Sequence, residues 1–260
     1  MFAGEIISAG KDVTQYKPGD QVFGYAGLGM GTYAEYMCLP EKPSALGSVL
    51  AKKPANMTYE QAAAVPFGGL EALHSLRKAN IHSGQMVLII GAGGSIGTCA
   101  LQLAKHYGAE VTAVDHAAKL DMLRSIGADH VIDYTQEDFT KGGQTYDVIF
   151  DTVGKSSFSG SLKSLKENGT YLNANPGLLG RFRSRWTSKR SSKRVILWTA
   201  GYTADNLLAL KGLIEAGTIR AIIDRRYPLE QIAEAHRYVD TGQKKGNVVI
   251  TLEHDTEVKN

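Results

Sequence analysis

Residues 91–97, Gly-Ala-Gly-Gly-Ser-Ile-Gly, stand between the apolar run Val87-Leu88-Ile89-Ile90 and a helix-patterned stretch that opens Thr98-Cys99-Ala100-Leu101. A strand that ends in a glycine-rich turn and runs into a helix brings close-approach backbone and unpaired N–H groups to one point, as a dinucleotide pyrophosphate requires. Read as Ala92-x-Gly94-x-x-Gly97, the turn has alanine at the first glycine position of the dinucleotide fingerprint, so the spacing alone is a weak signal. Context strengthens it. The next apolar run, Glu110 to Val114, ends in Asp115, 18 residues beyond Gly97. An acid there is placed to accept hydrogen bonds from the hydroxyls of an adenosine ribose. It also repels a ribose 2′-phosphate, which favours NAD(H), while Lys119 one helical turn on leaves NADP(H) open. The bland alternative is a structural turn with an unrelated surface aspartate.

These residues need a scaffold, and the pattern around them supplies one. From Met86 onward the sequence predicts strands at 86–91, 110–114, 130–133, 147–151, 169–173 and 194–199, with helices near 94–107, 117–126, 156–165 and 203–216. Near-continuous apolar strands alternating with helices predict a doubly wound α/β domain on a parallel sheet. The first sixty residues read as short strands and turns: Phe2 to Ala9, the turn Lys17-Pro18-Gly19-Asp20, Val22 to Tyr25, and the aromatic-rich Thr32 to Leu39. Thr58-Tyr59-Glu60-Gln61 predicts a capping box before an alanine-rich helix, which Pro66 and Gly68-Gly69 interrupt before Leu70 to Lys78 resumes. In the tail, 221–223 reads as a strand, Pro228 to Val239 as a helix and Asn247 to Leu252 as a final strand.

Composition sets the outer limits. A chain of 260 residues with 43% hydrophobic and 21% charged residues is ordinary for a globular protein that buries a sizeable core. Two cysteines, Cys38 and Cys99, make no disulfide framework and no metal-ligand spacing, which fits a reducing compartment. No stretch reaches the roughly 18 apolar residues of a membrane span, and the start lacks a signal-peptide pattern, so a cytoplasmic location is expected. A net charge of +3 does not argue for a polyanionic partner. Its distribution is uneven, however: seven cations and no acid fall in 181–194, interleaved with Phe182 and Trp186.

Seven segments together resemble one known family, the medium-chain dehydrogenase/reductase superfamily, in its zinc-independent quinone oxidoreductase-like branch. They are AGEIISAGKDVTQYKPGDQVFGY (3–25), GTYAEYMCLP (31–40), AAAVPFGGLEALHSL (62–76), VLIIGAGGSIGTCALQLAKHYGAEVTAVD (87–115), GADHVIDY (127–134), YDVIFDTVG (146–154) and YPLEQIAEAHRYVDTGQKKGNVVI (227–250). The resemblance covers essentially the whole chain. It implies a GroES-like β-rich catalytic domain at 1–60, completed by 221–260, and a Rossmann domain at 61–220. It further implies a pyrophosphate turn of Gly91, Ala92, Gly94, Ser95 and Ile96, with Asp115, Lys119 and Tyr134 around the adenosine ribose. Val153, Gly154 and Asn173 then flank the nicotinamide, and Lys245 and Asn247 approach the cofactor from the tail.

Departures from the family matter as well. Zinc-dependent members place a ligating cysteine where this chain has Val65-Pro66-Phe67, and a four-cysteine structural lobe is absent, so no zinc is expected. Relatives commonly have threonine at Glu71 and lysine at Asn247. They also carry further strands ahead of AGEI, which implies a partial catalytic domain with an exposed strand edge.

The resemblance implies NAD(P)H-dependent hydride transfer to a quinone or enone, small molecules that already contain an electron sink and need no Lewis acid. It identifies no catalytic side chain. Tyr25, Tyr33 and Tyr36 are candidate proton donors, with packing as the plainer role. His74 and His236 read as surface or interhelix residues. Asp151 reads either as an organiser of the loop at the sheet's carboxyl edge or as a strand-end cap. The segment at 181–194 precedes a strand that pairs across a homodimer in relatives. Two alternatives stay open: a catalytically silent nucleotide-binding protein whose 181–194 run holds nucleic acid or membrane, and an alcohol dehydrogenase.

Overall fold

A computed structural model describes residues 1–27, 31–42, 47–175, 192–197 and 201–252. The chain divides into two compact units, Met1–Phe67 with Tyr202–Asn260, and Gly68–Gly201.

The first unit opens with β1 (Phe2–Glu5), β2 (Gln21–Tyr25) and β3 (Val49–Lys52), an antiparallel sheet in the order β1-β2-β3. A Cβ on Gly24 would lie 2.1 Å from the Val49 carbonyl oxygen, so only glycine lets β2 and β3 meet there. The aromatic-rich stretch from Thr32 to Leu39 forms no strand; its exposed Tyr33 hydroxyl instead lies 3.2 Å from His236 Nε2. Helix α1 (Tyr59–Ala64) begins at the expected capping box, in which Thr58 and Gln61 exchange side-chain bonds with each other's backbone N–H.

Pro66 does not break a helix but starts one. Helix α2 (Pro66–Ala79) has proline at its first position, where no N–H is needed. Gly68 sits inside it because a Cβ there would lie 2.4 Å from the Ser95 carbonyl oxygen.

The second unit follows the expected alternation. It contains β4 (Met86–Ile90), α3 (Ser95–His106), β5 (Glu110–Asp115), a 3₁₀ turn (Ala117–Lys119) leading into α4 (Leu120–Ser125), and β6 (His130–Asp133). It continues with β7 (Tyr146–Asp151), α5 (Phe158–Lys163), β8 (Leu165–Asn173) and β9 (Arg194–Leu197). All six strands are parallel, in the order β6-β5-β4-β7-β8-β9, the Rossmann arrangement. Leu88, Ile90, Val114, Phe139, Tyr146, Ile149, Leu165 and Tyr171 pack into one buried cluster of this unit. β8 starts earlier than its apolar run because it includes a bend, where Asn168 adopts φ +61 beside Gly169.

The chain then returns to the first unit with α6 (Ala204–Glu215), β10 (Ile223–Pro228), a 3₁₀ turn (Leu229–Gln231), α7 (Ile232–Asp240) and β11 (Asn247–Thr251); β10 and β11 pair in parallel. Residues 61–67 and 202–220 thus belong to this unit, not to the nucleotide-fold unit as drawn from the sequence. Helix α6 is tied there by the Asn56 amide, which donates to the Ile214 carbonyl at 2.9 Å. The tail strand also begins at Ile223, where 221–223 was expected, because the pairing with β11 runs on to Pro228. Among the described residues no helix is long and apolar enough to cross a membrane.

Candidate nucleotide site

The register of the parallel sheet aligns its strand ends. Ile90 pairs with Val114 and Asp151, Asp115 with Asp133, and Asp151 with Asn173. The carboxyl edge therefore carries Gly91, Ala92, Gly94, Ser95 and Ile96 after β4, and Asp115 and Lys119 at and after β5. Tyr134 follows β6, Val153 and Gly154 follow β7, and Asn173 ends β8. That edge is where open α/β sheets hold ligands.

Four glycines of the turn meet different constraints. Gly91 has φ +75, and a Cβ on it would lie 2.2 Å from Val153 Cγ2. A Cβ on Gly97 would lie 2.4 Å from the Gly91 carbonyl oxygen, and one on Gly93 2.5 Å from Lys119 Cδ. Gly94 is unlike these three: its φ of −89 suits any residue, and its nearest neighbour for a Cβ is the Gly91 oxygen at 3.5 Å. The fold does not demand glycine at 94, so the space beside it is a cradle that a side chain would fill. Gly94 is the N-cap of the 12-residue α3 and supplies no capping side chain, and the helix has no acid in its first turn. The first-turn N–H groups of such a helix have no carbonyl four residues back, and the helix end is electropositive. Backbone, space and charge together fit a pyrophosphate.

Asp115 is more enclosed than a free ribose acceptor. It is 5% exposed; one carboxylate oxygen accepts from the Gly93 N–H at 2.7 Å, and the other from the His116 N–H at 2.8 Å. Lys119, itself buried, pairs with that second oxygen at 3.1 Å. The acid is therefore a strut that fixes the glycine turn, and its charge is balanced on the spot. Tyr134 is attached to the same point by its N–H, which donates to the Asp115 carbonyl at 3.2 Å, while its side chain is exposed.

The β7 loop is organised by Asp151, which is fully buried. Its Oδ1 accepts from the N–H groups of Val153 at 3.0 Å and Gly154 at 2.7 Å, and its Oδ2 from the hydroxyls of Tyr171 at 3.0 Å and Ser156. Of the two roles expected for Asp151, the loop organiser is the one its contacts describe. Burial, reinforced by the Asp151 charge, pushes the Tyr171 phenol well above its ordinary range. Gly154 has φ +73, and Asn173 accepts from the Asn175 N–H at 2.8 Å.

The remaining expected residues belong to the first unit. The Lys245 N–H donates to Asp224 Oδ2 at 3.0 Å, and the Tyr238 hydroxyl donates to the same oxygen at 2.5 Å. Asn247 is buried, and its side-chain amide, expected to reach a cofactor, donates to the Ile222 carbonyl at 3.1 Å. Tyr25 packs against Tyr202 with ring centroids 4.4 Å apart and planes tilted by 31°, and Tyr36 is exposed. In the second unit, burial lowers the His74 pKa, and Glu71 is buried. Residues 181–191 of the basic run lie outside the described residues; Lys193 donates to the Leu162 carbonyl at 2.6 Å. Among the described residues, no group of three or more His, Cys, Asp or Glu side chains is placed to hold a metal ion.

Sequence reasoning missed Gly93 and His116. Gly93 lies between two fingerprint positions, and only the fold of Lys119 over it reveals its constraint. His116 follows the β5 acid and carries no motif signal.

Comparisons with known proteins agree with this architecture. Residues 1–48 match the family model for the alcohol dehydrogenase GroES-like domain, and residues 126–250 that for zinc-binding dehydrogenase. A 2-methylene-furan-3-one reductase of Solanum lycopersicum is 32% identical over 95% of this chain and 61% of its own length. The chain thus spans about three fifths of that relative. The mitochondrial NAD(P)H oxidoreductase RTN4IP1 of Mus musculus is 31% identical over 96% of this chain and 69% of its own. Among solved structures, the quinone oxidoreductase from Coxiella burnetii has a TM-score of 0.82 and 28% identity, covering 97% of this chain and 78% of that one. A Rossmann sheet between two stretches of a β-rich unit, matched along its length by these reductases, makes this chain a member of the medium-chain dehydrogenase/reductase superfamily, in its quinone oxidoreductase-like branch.

Proposed function

We propose that this chain binds NAD(P)H at the β4–α3 turn and serves the reduction of a quinone, enone or similarly activated carbonyl compound. The observation that carries the reading is Gly94: a position the fold leaves free for any side chain is glycine, at the N-terminus of a helix with no side-chain cap. Similar proteins that are a 2-methylene-furan-3-one reductase, an NADPH-dependent alkenal/one oxidoreductase and a quinone oxidoreductase support the acceptor class.

When bound, the nicotinamide supplies the hydride. The chain's own residues bind and orient. The first-turn N–H groups of Ser95, Ile96 and Gly97 take the pyrophosphate, and the Asp115–Lys119 pair takes the adenosine ribose. The loop of Val153 and Gly154, held by Asp151, sets a firm wall after β7. Asp115 favours NADH, but with Lys119 on its carboxylate the pair is neutral overall, so NADPH is accepted as well. A homodimer through β9 is part of the proposal, supported by that strand's place at the edge of the sheet with half-buried Val195, Ile196 and Leu197. The exposed thiol of Cys38 fits a reducing compartment such as the cytoplasm.

Titration of the purified protein with NADH and with NADPH, followed by nicotinamide fluorescence, tests the reading. Both should bind, NADH by up to about tenfold more tightly, a difference of roughly 1.4 kcal/mol. Binding of neither overturns the site, and tighter NADPH overturns Asp115 as the selector.

A further inference from the structure

We propose that His116 determines how well the site accepts the 2′-phosphate of NADPH; the proposal rests on the reading above, which places the adenosine ribose at Asp115. His116 follows that acid directly, and its backbone N–H donates to Asp115 Oδ1 at 2.8 Å, so the imidazole's point of attachment is held to the ribose position. The ring is oriented by a second bond. The Ala118 N–H donates to His116 Nδ1 at 3.2 Å, capping the 3₁₀ turn that carries Lys119. A nitrogen that accepts from an amide carries no proton of its own, so the neutral ring holds its hydrogen on Nε2. His116 is exposed, which makes Nε2–H a donor available at the rim of the site.

The surroundings fit a phosphate ester better than a bare hydroxyl. Tyr134, 60% exposed, stands edge-on to the imidazole with ring centroids 6.2 Å apart and adds a phenol to the same rim. The groups that face the ring are Asp115 and Lys119 from its own turn and Asp133 and Tyr134 from the end of β6. Asp115 is balanced by Lys119. Asp133 accepts from the Thr135 N–H at 3.0 Å and from its hydroxyl at 2.9 Å, bonds that hold the carboxyl below its ordinary range. Both neighbouring acids are thus already supplied with donors, while His116 and Tyr134 offer two more. Hydrogen bonds to a charged acceptor are stronger than those to a neutral one, so these donors gain more from a 2′-phosphate than from a 2′-hydroxyl.

The test compares wild type with His116→Ala and His116→Asn, measuring the affinity of NADPH and of NADH by fluorescence titration. Displacement by adenosine 2′,5′-bisphosphate and by 5′-AMP provides a readout that is independent of turnover. His116→Ala should weaken NADPH and the bisphosphate by about tenfold and NADH and 5′-AMP by less than about twofold, and His116→Asn, which keeps a donor, should recover part of the loss. Equal losses for both nucleotides would reduce His116 to a structural cap, and an unchanged NADPH affinity would overturn the assignment outright. If wild type binds neither nucleotide, the reading of the site falls, and this assignment with it.

Discussion

The β4 turn and the β7 loop leave neighbouring strands of one sheet, each with a left-handed glycine, Gly91 at φ +75 and Gly154 at φ +73, yet one closes on a buried side chain and the other opens into an uncapped helix end. The β7 loop turns inward. Asp151 gathers two loop N–H groups and two hydroxyls onto one buried carboxylate. The β4 turn ties its N–H groups down one by one, Gly91 and Ala92 to the Val114 carbonyl, Gly93 to the Asp115 carboxylate and Gly94 to the Gly91 carbonyl, and then runs into α3, which begins with no side-chain cap. A loop gathered onto one buried carboxylate is a rigid wall, and a turn that delivers a helix end with no side-chain cap is placed to be a receptor. The two are interlocked, since Thr152 donates its hydroxyl to the Ile90 carbonyl at 2.9 Å and Val153 fills the space a side chain at 91 would need.

Breaking that interlock should have the largest effect. Gly91→Ala combines an unfavourable φ with a clash against Val153, and thermal unfolding should show a loss of about 3–5 kcal/mol. A change below about 1 kcal/mol would mean the two loops move apart freely. Next comes Asp151→Ala, which strands two N–H groups and the Tyr171 hydroxyl. Urea unfolding should report about 2–4 kcal/mol, and adding Tyr171→Phe should restore part of it by removing one stranded donor. If the double variant is no better than the single one, Tyr171 is not part of the loop's support. The smallest effect on stability, and the one that sharpens the comparison most, belongs to Gly94→Ala. It should cost less than about 1 kcal/mol and yet weaken NADH at least tenfold, because only the receptor loop has an outward use for its empty space. Undiminished NADH affinity would leave the cradle without a purpose.

Most of the second unit was legible in the sequence because apolar strands and helical stretches differ in period, and the parallel order follows from alternation. The turn at 91–97 and the acid at 115 were legible for the same reason: both lie at strand ends that the pattern marks. What the pattern could not reveal was where the donors go. Lys119 sits four residues from Asp115 in any helix, but the burial of the pair over Gly93 depends on the 3₁₀ turn that His116 caps, and histidine is not a usual capping residue. The unit boundary escaped for a related reason. An amphipathic helix such as α6 looks the same whichever layer it packs on, and only the bond from Asn56 to Ile214 shows its allegiance. The residues from Thr32 to Leu39 resembled a strand by type, but they form none, and Tyr33 is engaged instead by the His236 side chain from the tail of the unit.

The division of the chain has a consequence for the order of events during synthesis. Residues 68–201 form one uninterrupted unit, so every strand of the parallel sheet has been made before residue 202 is added. The other unit is split: α1 packs against β1 near one end of the sequence and against β11 near the other. The nucleotide-fold unit can therefore close on itself while translation continues, whereas α1, already on β1, must wait for some fifty further residues before β11 exists to cover it. A pause or truncation in that final stretch leaves a finished Rossmann sheet attached to an unfinished β-rich half.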